Sequence, residues 1–118
     1  TLDRPPFFYF QGWDLQCARV GPWKLHMSRQ NALPWGPDPP DGRFNLPLYR
    51  SELYNVVSDP GEDYDLAPDC PDLVADIRSK TEAALPAFPV DVQNAWTDTM
   101  RRRVEATPAG AMPVQRKP

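Results

Sequence analysis

A chain of 118 residues has material for one core, since a domain of this length buries roughly two thirds of its unfolded surface. Hydrophobic residues make up 41%, charged residues 25% and aromatic residues 11%, a globular balance that excludes wholesale disorder despite a mean hydropathy of -0.60. Thirteen Lys and Arg against sixteen Asp and Glu leave a net charge of -3, which disfavours polyanionic partners: no nucleic acid and no anionic membrane surface is expected.

Sixteen prolines against six glycines mean that about one residue in seven lacks a backbone donor, which excludes a helical bundle and any long uninterrupted sheet. Long irregular connections are expected instead. No apolar run approaches the roughly 18 residues of a membrane span, and residues 1–6 lack the basic and apolar regions of a signal peptide. The absence of an initiator Met favours a fragment of something longer. Cys17, Cys70 and the single His26 cannot build a closed Cys/His zinc site. They leave one disulfide open, with two unpaired thiols as the simpler reading.

Residues 7–28 read as strands. Phe7, Phe8, Tyr9 and Phe10 form an aromatic run, Gly12 breaks it, and residues 15–20 and 23–28 flank Gly21-Pro22 as a hairpin. In the second arm Trp23, Leu25 and Met27 alternate with Lys24, His26 and Ser28, so the ammonium and the imidazole share the face turned away from the core.

Residues 31–47 carry Pro34, Pro37, Pro39, Pro40 and Pro47 and are expected to form a long exposed loop that is functional or packed on a partner. Residues 48–57 resume strand character and end at Asp59-Pro60-Gly61-Glu62, where Gly61 is expected to supply a positive φ. The acids from Glu52 to Asp76 do not follow the order of a calcium loop, and a solvated acidic segment is expected. Pro71 opens a helix whose stripe is Leu73, Val74, Ile77, Ala84 and Leu85, with Pro86 stopping it. Beyond it Phe88, Val90, Val92 and Trp96 read as scattered, and the arginine-rich end as an extended, partly mobile tail.

No serine sits in a glycine-flanked elbow, and no glycine order cradles a phosphate. Cys17 and His26 together supply a thiol and a base, but a lone strand histidine is more often structural. Pro37-Asp38-Pro39-Pro40 satisfies the PxxP spacing of a docking peptide, yet lacks a basic neighbour.

Two local patterns together carry a resemblance. Arg19-Val20-Gly21-Pro22-Trp23-Lys24-Leu25-His26 resembles the RxGxWKxH hairpin of the C-terminal subdomain of sulfatases, and Leu53-Tyr54-Asn55 with Asp59-Pro60-Gly61-Glu62-Asp63-Tyr64-Asp65-Leu66 resembles its LYNLxxDPGExxNL strand and turn. Their order is similar to that in the arylsulfatase and steroid-sulfatase branch of the alkaline-phosphatase-like superfamily. The resemblance implies an α+β fold: a small antiparallel sheet of about four strands with one C-terminal helix packed across it, a long proline-rich loop and an extended tail. Residues 1–97 would be the subdomain and residues 98–118 the tail.

The resemblance further implies a catalytic α/β domain, in the same or a separate polypeptide, that holds calcium and a formylglycine and acts on a sulfate ester. Neither Cys17, followed by Ala18-Arg19, nor Cys70, followed by Pro71-Asp72, stands in the motif that is modified. No catalytic residue, cofactor site or metal ligand is therefore expected in this chain, and alone it should be inactive. Lys24 and His26 remain candidates for the rim of the substrate pocket, with anchoring of the subdomain as the plainer role. The competing reading is a stand-alone interaction module that keeps the fold without catalysis. A periplasmic, extracellular or lysosomal location follows from the resemblance alone.

Overall fold

Two glycines fold the first third of the chain into hairpins. Gly12 and Gly21 both have φ of 60°, the left-handed region that a two-residue turn of this hand needs at its first central position. A computed structural model describes residues 5–33 and 35–106. The turns join β1 (Phe7–Gln11), β2 (Asp14–Val20) and β3 (Trp23–Gln30), and β4 (Asn45–Asn55) completes an antiparallel sheet in chain order. The α+β expectation and the count of four strands agree with the structure.

Pairing runs Val20 to Trp23, Arg19 to Lys24, Ala18 to Leu25 and Cys17 to His26, so alternate residues are sorted onto opposite faces. Leu15, Ala18, Val20, Leu25, Met27 and Leu53 are buried on one face, where Ile77 of α1 (Pro71–Ala84) and Trp96 of α2 (Val90–Ala106) cover them. Burying such a side chain contributes about 1.5–3 kcal/mol relative to exposure. Of the predicted stripe, Ile77 lies in this core and Leu73, Val74 and Leu85 pack against it, whereas the other buried position of α1 is Thr81 and not Ala84.

Three expectations change. The segment after Pro86 is not scattered: it forms a second helix, which continues to Ala106 through the region where an extended tail is expected from residue 98. Residues 107–118 lie outside the described residues. Val92, Trp96 and Thr99 recur at helical spacing and are all buried. Thr99 is a polar member, bonded by Asn45 Nδ2 at 3.2 Å, and this hides the stripe from a hydropathy reading.

Pro47, expected at the end of the loop, lies within β4 opposite Ser28. β4 is an edge strand, where a residue without an N–H donor is tolerated. The positive φ in the turn belongs to Glu62, at 55°, and not to Gly61. A Cβ at Gly61 would lie 2.9 Å from Asp63 Oδ2, the tip of an exposed side chain that can turn away, so glycine is not demanded there.

The proline-rich connection is closed by its own residues. Arg43 donates to the carbonyls of Leu33 at 2.8 Å and Gly36 at 2.7 Å and pairs with Asp38. Asn31 bonds Gly42 and Phe44 across the neck. Trp35, 81% exposed, is left facing solvent. Because Arg43 acts at the surface, Arg43→Ala should lower global stability by under about 1 kcal/mol. It should still speed hydrogen exchange at the Gly36 and Gly42 amides, and unchanged exchange would show that the loop does not depend on this side chain.

Candidate functional site

The face of the sheet away from the helices is polar, and its register defines two rows. Phe7, Arg19, Lys24 and Tyr54 form one, and Tyr9, Cys17, His26 and Glu52 the next. The expected sharing of this face by Lys24 and His26 is therefore present. What joins them is Glu62, from the turn after β4: Lys24 Nζ donates to Oε2 at 3.0 Å, and the Nε2–H of His26 donates to Oε1 at 2.9 Å.

Local chemistry aims that carboxylate. Glu62 N donates to the Asp59 carbonyl at 3.0 Å, closing the turn, and the Asp59 carboxylate accepts from the amides of Asp63 and Tyr64. Asp65 Oδ1 then accepts from Leu53 N and Ala67 N, both at 2.9 Å, so the segment is sewn back onto β4. The acidic stretch was expected to be solvated. Instead Glu52 is buried, the Glu62 side chain is 23% exposed, and Asp59 and Asp65 serve backbone donors.

Cys17 completes the cluster, with Sγ 3.2 Å from His26 Nδ1. An ionised Glu62 only accepts, so Nε2 carries the ring hydrogen and Nδ1 receives the thiol S–H. The order thiol, imidazole, carboxylate has the connectivity of a nucleophile, base and orienter. It lacks the activation. Burial pushes the Cys17 thiol up to about 11, and the side chain is almost closed to solvent. Cys17 is thus a hydrogen-bond donor that fixes the His26 ring. Cys70, also free, packs against the core on the helix side.

Both nitrogens of His26 are satisfied within the chain, whereas the Lys24 ammonium spends one donor on Glu62 and rests 4.6 Å from the centre of the Tyr9 ring. Tyr54 closes the other side, edge to face with His26 and donating its hydroxyl to Glu52 at 2.7 Å. Arg29 pairs with the same Glu52 oxygen at 3.0 Å. Among the described residues no group of three or more His, Cys, Asp or Glu side chains could hold a metal ion. No described helix is long and apolar enough to cross a membrane.

Burial holds His26 below its ordinary 6.5, outweighing the opposing charge of Glu62. For Glu62 burial acts upward, but the Lys24 hydrogen bond and the His26 and Lys24 charges together hold the carboxyl below its ordinary 4.5. In both cases the unfolded chain binds the proton more readily. Stability should therefore fall as pH drops below about 6.5 through His26, and again below about 4.5 through Glu62. Thermal unfolding of the wild type and His26→Gln from pH 8 to 4 checks this; a wild-type profile as flat as the variant's between pH 7 and 5 would contradict it.

Sequence reading had Lys24 and His26 but missed Glu62 and set Cys17 aside. The signal for Cys17 was available, since counting outward from the Gly21-Pro22 turn pairs it with His26. Glu62 had no such signal, because 36 residues separate it from His26.

The fold and the cluster define a small α+β unit in which a hairpin motif and a turn motif meet through one carboxylate. The chain belongs to the family described as the C-terminal region of aryl-sulfatase, whose model matches residues 2–110. No curated protein and no solved structure gives a significant match. The two motifs that carry the resemblance to sulfatases are thus the two halves of the Glu62 cluster.

Proposed function

We propose that this chain acts as the C-terminal accessory subdomain of a sulfatase, packing on a catalytic domain and lending the Lys24 face to the rim of its substrate pocket. The observation that carries the reading is the match to the C-terminal region of aryl-sulfatase over residues 2–110. The cluster adds the division of labour: Lys24 offers its remaining N–H donors to an anionic ester, while His26 and Cys17 hold Glu62 and so hold Lys24. The proline-rich loop, with Trp35 outward, contacts the catalytic domain or lines the substrate entrance.

Calcium and formylglycine belong to that domain in this reading. Neither Cys17, followed by Ala18-Arg19, nor Cys70, followed by Pro71-Asp72, stands in the motif whose cysteine becomes a formylglycine. The contribution of this chain is binding and orientation.

The intact mass of the native polypeptide, found through a peptide from residues 53–66, tests the reading. A mass several times 13.4 kDa, or a co-purifying catalytic domain, together with aryl sulfate hydrolysis, is expected. A lone 13.4 kDa species without such a partner would favour the stand-alone interaction module. In the intact sulfatase Lys24→Met should raise KM about tenfold, and His26→Ala should shift it in the same direction. Unchanged kinetics with lowered stability would reduce both residues to anchors.

A further inference from the structure

Arg19 and Lys24 stand directly opposite each other on β2 and β3, and like charges so placed repel unless each has a counter-ion. Lys24 has Glu62 at 3.0 Å, and nearby Arg29 has Glu52 at 3.0 Å. No carboxylate of the described residues pairs with Arg19. Its Nε donates to the Gly21 carbonyl at 2.8 Å, which fixes the plane of the guanidinium and leaves its two terminal nitrogens without a protein acceptor among the described residues. Arg19 lines a recess of about 360 Å³ together with Pro5, Phe7, Tyr9 and Gly21.

The walls of this recess are specific. Phe7 lies opposite Arg19 on the neighbouring strand and is 65% exposed. Tyr9 meets the Phe7 ring edge to face, with centroids 5.2 Å apart, and carries the Lys24 ammonium over its own face. Those contacts hold Tyr9, while Phe7 keeps most of its surface exposed beside Arg19. A fixed guanidinium fork matches a group with two or more oxyanion oxygens, and an exposed ring beside it matches a planar ring.

We infer that the Arg19 recess binds a small organic oxyanion carried on a ring, with the anion forked by the Arg19 terminal nitrogens and the ring stacked on Phe7. Carboxylate, sulfate and phosphate share the required chemistry. The site uses only residues of this chain and does not rest on the reading given under Proposed function.

The test is a titration of the full chain followed by ¹H–¹⁵N NMR at low salt, with benzoate, phenyl phosphate, 4-nitrophenyl sulfate and inorganic sulfate as separate probes. The expected result is saturable shifts at the Arg19 side-chain N–H and the Gly21 amide. At least one ring-bearing anion should bind about 3- to 10-fold tighter than inorganic sulfate, and the order among the three identifies the preferred oxyanion. Arg19→Gln should abolish binding, and Arg29→Gln should leave it unchanged. Phe7→Ala, which leaves the Arg19 to Gly21 bond in place, should reduce the ring-bearing anions to the level of inorganic sulfate. Absence of saturation with every probe, shifts that persist in Arg19→Gln, or equal binding of inorganic sulfate in the wild type would each overturn the inference.

Discussion

Glu62→Ala should destabilise the domain by about 1–3 kcal/mol, because it removes the acceptor of two half-buried donors at once. Lys24 would keep a charge opposite Arg19 with no carboxylate beside it, and the His26 Nε2–H would lose its partner. The backbone gives this experiment a second readout. Glu62 has φ of 55°, a conformation that costs a residue with a Cβ about 1 kcal/mol or more relative to Gly. Glu62→Gly should therefore be less damaging than Glu62→Ala by about that amount, although both lose the same side-chain bonds. Urea unfolding of both variants checks the order. If Ala and Gly were equally stable, the strain argument would fail; if both matched the wild type, the cluster would contribute nothing.

Trp96→Ala should have the largest effect, about 3–5 kcal/mol, in a domain of this size a large part of a total near 5–15 kcal/mol. Trp96 is 8% exposed, belongs to the core beneath the sheet, and lies under the Arg78 guanidinium at 5.6 Å. Its loss leaves a cavity between α2 and the sheet and removes the aromatic partner of a cation held by α1. The melting temperature should fall by roughly 10–20 °C. A drop of only a few degrees would mean that α2 is a peripheral element and that the sheet and α1 alone form the core.

Trp96 also marks where sequence reading stops being sufficient. The β2–β3 hairpin was legible because Gly21-Pro22 names a turn and the alternation after it names a face. The start of α1 was legible because proline fits the first helical turn and the acids after it suit the positive end. Helix α2 was hidden because one of its buried positions, Thr99, is polar and owes its burial to Asn45, which bonds both Thr99 and Ser28. That network lies between β3, β4 and α2, so no local window contains it.

The candidate site shows the same boundary between local and distant information. Lys24 and His26 follow from side-chain period two within one strand. Their carboxylate does not, because its position depends on a turn that Asp59 closes and on a left-handed residue where glycine had been expected. The acidic segment read as solvated because each carboxylate was judged without its donor. In the fold the donors come from β3 and from the backbone of the segment itself, and the Glu62 side chain ends up under a quarter exposed.

The central claim is that the hairpin motif and the turn motif are one interacting unit joined through Glu62. A double-mutant cycle with Lys24→Met and Glu62→Gln, read by urea unfolding at pH 7, tests it most directly. The structure requires a favourable coupling of about 0.5–3 kcal/mol between the two positions. Single-variant losses that simply add, within about 0.3–0.5 kcal/mol, would mean that the two motifs are neighbours in space without being partners.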